Sequence, residues 1–327
     1  SSPRRVEVLG DLPLRFLDNE NFWELRDAPR SVAFLGGGVI AVELGQAVAR
    51  LGVPVTILQR APQIIPVADP EIAGLIADTL KVDGVRIFTG AEVMSCQTLA
   101  DGNIAVHVQQ NHARKQLSVG SVFASLGRLP NVDGLDLEAA GIEYTARGIT
   151  VDDYQRTSQP HIYAAGDVAG GAQFTHVAGY QGEIAIDNIL GRNRKSDLSL
   201  LPWAIFTDPE VGHVGLSEER AREQHGDIKV LRFEATADRF LTESRTDGFI
   251  KVYLDEDDRL LGADGVGTHA GEWIQYLSMA MQHQLSIEDV ARTMFIYPTF
   301  AEIAKKPLTR YLRANEPSDQ FGSATSP

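Results

Sequence analysis

Residues 31–45 read SVAFLGGGVIAVELG. The apolar run Ser31–Leu35 meets three glycines and passes into Val39–Gly52, where Ile40, Leu44, Val48 and Leu51 recur at helical spacing. A strand that turns on glycine into a helix is predicted. Gly36, Gly38 and Ala41 satisfy the pattern G-x-G-x-x-G/A. Gly36 permits the tight turn, Gly38 lets the backbone approach a pyrophosphate, and Ala41 lets the helix pack close to the strand. The helix N-terminus then faces the phosphates with its free N–H groups.

The flanking chain supports this. Gly52 stands at the expected helix stop, and PVTILQ follows as a second β-rich run. Glu71–Leu80 reads as a helix and VRIFTG as a third strand. This β-α-β-α-β order is that of a parallel sheet with helical crossovers. The end of the second strand sets the nucleotide. An acid there would bind a ribose 2′-hydroxyl and repel a 2′-phosphate; this chain has Gln59 followed by Arg60. A guanidinium without an acid favours NADPH over NADH.

Further out the texture changes. VMSCQTLA, IAVHVQQ and QLSVGSVFASLG predict an antiparallel meander from Ala91 to Phe123, and Gly134–Thr150 is loop-rich. HIYAAGDVAG reads as a short strand entering a Gly-Asp turn, followed by a helix from about Ala178 to Leu190. A short helix is also expected from near Asn19. After the linker-like NRKSDLSL, strands (HVGLS, KVLRFEA, FIKVYL, RLLGADGVG) alternate with helices near 270–284 and 287–293, an α+β unit. The tail EPSDQFGSATSP is expected to be disordered.

Composition narrows the class. The 327 residues carry a net charge of −14, which disfavours nucleic acid. No apolar run is long enough to span a membrane. The single cysteine, Cys96, admits no intrachain disulfide and no cysteine metal site, and the eight histidines lack ligand spacing. A cytoplasmic protein is expected.

TSQPHIYAAGDVAG (Thr157–Gly170) is the more specific stretch, because an acid in a tight turn after a strand can accept from a ribose or polyol hydroxyl. With this motif the chain resembles the class I pyridine nucleotide–disulfide oxidoreductases. GGGVIAVE looks like that family's NAD(P) fingerprint and LGRLPN (Leu126–Asn131) like its GRxPN hinge. TSQPHIYAAGDV is similar to its second FAD motif, and FTDPEVGHVGLSE (Phe206–Glu218) to the opening of its dimerisation domain. Within the family, ELGQAVARLGVPVTILQR and Val39, where glutathione reductase-like members carry Tyr, point to mercuric reductase and its relatives.

The resemblance implies an α/β fold in four parts. Residues 1–130 form a Rossmann-like NAD(P)-binding domain and 131–200 the C-terminal part of an FAD domain. Residues 201–315 form an α+β dimerisation domain, ahead of the tail 316–327. It further implies FAD and NADPH (or NADH) as cofactors and a homodimer, with no membrane partner. Gly36, Gly38, Val39, Ile40, Ala41, Glu43, Gln59 and Arg60 would serve the nucleotide. Gly127, Arg128, Gly166, Asp167, Phe174 and Thr175 would serve the cofactors nearer the flavin, with Asp167 on the ribitol. Glu43 matches a glutamate near the nicotinamide, and His176 lies beside Thr175.

The departures are as informative. The family's N-terminal FAD half, with its own GxGxxG and its CxxxxC dithiol, has no counterpart here, so a truncated form of a longer reductase is expected. Cys96 cannot supply the missing pair and reads as a structural thiol. Where dihydrolipoamide dehydrogenase and glutathione reductase carry HPTxxE, this chain has Tyr297 and retains Glu302. A tyrosine is a poor base at neutral pH, but it can hydrogen-bond or approach a soft metal bound by thiolates. Mercuric reductase-like proteins share that tyrosine, yet this tail lacks their terminal cysteine pair. The implied activity passes a hydride from NAD(P)H through flavin to a disulfide, dithiol or metal acceptor. Two alternatives stay open: a nucleotide-binding and dimerisation module without redox activity, and a dithiol-free flavoprotein of the transhydrogenase kind.

Overall fold

The apolar runs that flank the glycines are buried on both faces, as a parallel sheet requires. In the computed structural model, which describes residues 1–4 and 16–315, β3 (Val32–Leu35) and β4 (Val55–Leu58) have every residue buried. Each fully buried branched side chain here contributes about 1.5–3 kcal/mol. The tail 316–327 lies outside the described residues. The chain forms two units, Ser1–Ile65 with Leu80–Leu198, and Pro66–Thr79 with Ser199 onward.

The first unit begins with β1 (Ser2–Pro3) and β2 (Phe16–Leu17). After β3 come α1 (Val39–Arg50), β4 and β5 (Arg86–Phe88); α2 (Pro70–Val82), which stands between β4 and β5 in the chain, belongs to the second unit as far as Thr79. Next are β6 (Ala91–Thr98), β7 (Ile104–Gln110), β8 (Ala113–Val119), β9 (Ser121–Ala124), β10 (Arg128–Leu129), β11 (Tyr144–Thr145), β12 (Gly148–Ile149) and α3 (Thr175–Ile189). The main sheet runs β2-β9-β3-β4-β5, all parallel. The antiparallel sheet β6-β7-β8 is the expected meander.

Four details differ from the sequence reading. The meander ends at Val119, and residues 121–124 join the parallel sheet instead. β8 is exposed along most of its length, whereas Val122, Phe123 and Ala124 are buried, so only the latter suit an interior strand. The short helix expected from near Asn19 is a single 3-10 turn at Phe22–Glu24. Asp18 and Asn21 hydrogen-bond the local backbone themselves, which competes with helix formation. The HIYAAGDVAG strand is reduced to one bridge between Arg156 and Tyr163, followed by a 3-10 turn at Gly166–Ala169; no other described strand pairs with it. α3 starts three residues earlier than expected, at Thr175.

The second unit holds β13 (Trp203–Ile205), β14 (Glu210–Gly215), α4 (Glu218–His225), β15 (Lys229–Glu234) and α5 (Asp238–Thr242). It continues with β16 (Phe249–Leu254), β17 (Leu260–Gly267), α6 (Ala270–Gln282), α7 (Ile287–Arg292) and α8 (Lys306–Ala314). Its antiparallel sheet has the order β13-β14-β17-β16-β15. One face carries the core, in which Val214, Ile250, Val252 and Ala263 meet Trp273, Ile274, Leu277, Ile303 and Leu308.

The other face carries a polar row. Trp203, His213, Asp264, Lys251 and Arg232 are successive cross-strand partners over all five strands. Asp264 Oδ1 lies 2.8 Å from His213 Nδ1, and Tyr253 donates its hydroxyl to Asp264 Oδ2 at 2.8 Å. Lys251 Nζ reaches Asp69 Oδ2 and Glu71 Oε2, each at 3.0 Å.

Candidate functional site

The glycine turn is built by close packing. Gly36 has φ +94°, and a Cβ on it would lie 2.5 Å from Ser125 O. Ser125, at the end of β9, donates its hydroxyl to Leu35 O at 2.7 Å and its backbone N–H to the same oxygen at 2.9 Å. Gly38 is the N-cap of α1 and meets nothing within 4 Å of its would-be Cβ, so the space before the helix is open to a ligand. Ala41 is fully buried against the sheet, while Val39, Ile40 and Glu43 are half-buried on the first turns.

Gln59 and Arg60 divide their duties. Gln59 is buried, and its Oε1 accepts from Gly37 N at 3.2 Å, so it braces the turn. Ile65 donates its N–H to Gly37 O at 2.7 Å from the other side. Arg60 is exposed and makes no ion pair among the described residues. Sequence reasoning missed Ser125 and Ile65, because distant partners in the chain leave no local signal.

A second cluster forms elsewhere in the same unit. Arg128, Gly166, Asp167, Phe174 and Thr175 line one cleft of about 620 Å³ together with Asn19. Gly166 has φ +76°, and its would-be Cβ falls 2.9 Å from that of Ala178, so glycine lets the turn meet α3. Gln181 Oε1 accepts from Gly166 N at 2.7 Å. Asp167 accepts the Ser1 hydroxyl and lies 4.0 Å from Arg128 Nε. Arg128 Nε donates to Ser1 Oγ at 2.7 Å. Gly127, with φ +95°, turns the chain into β10. Phe174 is the N-cap of α3, gives its first turn no side-chain hydrogen bond, and stacks on His176 at 5.2 Å.

A carboxylate, a helix N-terminus and neighbouring amides suit a polyhydroxyl chain and the polar edge of an uncharged ring. The residues present therefore fit part of a flavin dinucleotide.

The remaining candidates lie in the second unit. Tyr297 is exposed and donates its hydroxyl to Asp238 Oδ2 at 2.7 Å, not to Glu302. That hydrogen bond, helped by the Asp238 charge, holds the phenol above its usual range. Glu302 is buried, and its Oε2 accepts from Thr299 N at 3.3 Å, which fixes the Tyr297–Thr299 turn. Cys96 is buried in the meander core, and burial pushes its thiol up to about 11, so it stays protonated at neutral pH.

Residues 1–182 match the model of the pyridine nucleotide-disulphide oxidoreductases, and residues 201–307 match that family's dimerisation domain. The chain belongs to this family. Among its oxidoreductase relatives, a dihydrolipoyl dehydrogenase from Geobacillus stearothermophilus is 36% identical over 293 residues, 89% of this chain and 62% of the relative. A mercuric reductase from Staphylococcus aureus is 34% identical, over 92% of this chain and 56% of the relative. The chain thus spans about three fifths of the length of these curated relatives. The solved Cu(II) complex of the HOCl-induced flavoprotein disulfide reductase RclA from Escherichia coli superposes with a TM-score of 0.86 at 30% identity. It covers 94% of this chain and 70% of that structure. The oxidoreductase family accounts for both an α/β nucleotide unit and an α+β unit in one chain. No helix among the described residues is long and apolar enough to cross a membrane.

Proposed function

We propose that the protein carrying this chain is an FAD-dependent NAD(P)H oxidoreductase of the disulfide reductase kind, mercuric reductase-like. It passes a hydride's electrons to a disulfide, dithiol or metal acceptor. The observation that supports it most is the cleft in which Arg128, Gly166, Asp167, Phe174 and Thr175 converge. These residues come from separated segments, and a cleft that unites them is not needed to close a fold.

In this reading the glycine turn binds the pyrophosphate of NADPH with the N-terminus of α1, and Gly36 and Gly38 allow the close approach. Arg60 meets the 2′-phosphate. Val39, Ile40 and Glu43 border the nicotinamide end. Asp167 accepts from a hydroxyl of the flavin side chain, and Thr175, at the start of α3, offers its backbone N–H to the ring. Bound FAD would supply a two-electron carrier between the nicotinamide and the acceptor. Tyr297 keeps its proton and acts as a hydrogen-bonding wall rather than a base, with Glu302 setting its turn. The protein works as a cytoplasmic homodimer, with the second unit at the interface.

The test is to purify the complete gene product and record its visible spectrum with NADPH. A bound flavin that bleaches on NADPH addition supports the reading. A colourless protein that binds NADPH without turnover would sink it and leave a binding module.

A further inference from the structure

Asn19 lies on the wall of the cleft that holds Asp167, although no motif singles it out. Its position is fixed by its neighbours. Asp18 is buried, and its Oδ1 accepts from Glu20 N at 2.9 Å and Asn21 N at 3.1 Å. Asn21 answers from the other side: its Oδ1 accepts from Asp18 N at 2.9 Å and its Nδ2 donates to Phe16 O at 3.0 Å. Phe16 and Leu17 are bound into the parallel sheet through β9. The turn is therefore closed by its own side chains, and the backbone of Asn19 is held at the cleft.

The carboxamide of Asn19 is half-buried and has no hydrogen-bond partner among the described residues. Arg128 and Asp167, on the same cleft, are joined through Ser1. A carboxamide offers two donors and an acceptor. A carboxylate can only accept from hydroxyls, whereas a carboxamide can also donate to a hydroxyl oxygen. Asp167 and Asn19 are thus complementary toward a chain of neighbouring hydroxyls, each of which both donates and accepts.

We infer that Asn19 hydrogen-bonds the polyhydroxyl side chain of the flavin alongside Asp167, and so helps to select and retain the cofactor. This rests on the reading that the cleft takes FAD.

The experiment uses the complete gene product, stripped of flavin and titrated with FAD while flavin fluorescence is followed. Asn19→Ala should weaken FAD by about tenfold, the effect of losing one good hydrogen bond. Asn19→Ser, which keeps a donor and an acceptor, should recover part of that loss. Neither change should move the melting temperature or the affinity for NADPH at the glycine turn. Equal FAD dissociation constants for wild type and Asn19→Ala would overturn the inference. So would a fall in melting temperature with no recovery in Asn19→Ser, since Asn19 would then be structural. A wild-type protein that takes up no FAD would overturn the cofactor reading itself, and the role of Asn19 with it.

Discussion

A methyl group on Gly36 would meet Ser125 O at 2.5 Å, on a backbone already at φ +94°. Both problems act at once, so Gly36→Ala should destabilise the first unit by about 1–3 kcal/mol and weaken NADPH binding. Urea denaturation and a nucleotide titration would read the two effects; an unperturbed variant would mean the turn relaxes freely. Arg60 is the opposite kind of residue, exposed and in no ion pair among the described residues. Arg60→Glu should leave stability unchanged and weaken NADPH by about tenfold or more relative to NADH. Equal losses for both nucleotides would remove Arg60 from phosphate selection. Tandem roles such as these, brace at Gln59 and reach at Arg60, are set by which neighbour is buried, and spacing does not carry that information.

At the scale of elements, the sheet of the second unit is held on one face by apolar packing and on the other by the polar row through Asp264. Asp264 satisfies His213 and Tyr253 together, all three nearly inaccessible to water. Asp264→Ala would leave the Tyr253 hydroxyl and His213 Nδ1 without their partner, and should lower the unfolding free energy by about 2–3 kcal/mol, measured by chemical denaturation. A loss below about 0.5 kcal/mol would show that water or repacking satisfies them. The alternation along β14, β16 and β17 was readable as β-structure. That His213 and Asp264 are direct partners followed only from the register, since a slip of one residue would move either to the opposite face.

For the whole molecule, ion pairs set how stability follows pH. Burial works against ionisation of Glu71, but the hydrogen bonds and charges of Lys251 and Arg232 outweigh it, and its carboxyl sits below the usual glutamate range. A depressed folded value means stabilisation that is present above the unfolded value of about 4.3 and is lost as pH falls through the folded one. Burial likewise opposes the Lys251 charge, the bonds to Asp69 and Glu71 outweigh it, and its value is raised. That contribution is complete below about 10.4 and fades only as pH rises through the folded value. The urea midpoint of the second unit should therefore fall as pH drops below about 4.3, and Lys251→Met should lower it at neutral pH and flatten that acid limb. An acid limb identical to wild type would exclude the pair. The proposed dimer is testable at the same scale: in the part of the chain that matches the family's dimerisation domain, Phe206, Met294 and Ile296 are 72, 94 and 80% exposed. Ile296→Glu should shift sedimentation toward monomer without unfolding the chain, and an unchanged profile would place the interface elsewhere.

The sequence by itself determined the parallel nucleotide unit, the meander, and the glycine and Gly-Asp turns. Each of these rests on local physics: hydrophobic period, and conformations open to glycine at Gly36 and Gly166. It also carried the family, which two separate domain matches bear out. Only the tertiary structure decided that residues 121–124 leave the meander for the main sheet, that Tyr297 bonds Asp238 rather than Glu302, and that Asn19 shares a cleft with Asp167. Those outcomes depend on partners distant in the chain, whose meeting is fixed by packing and register, and neither leaves a trace in the spacing of residues.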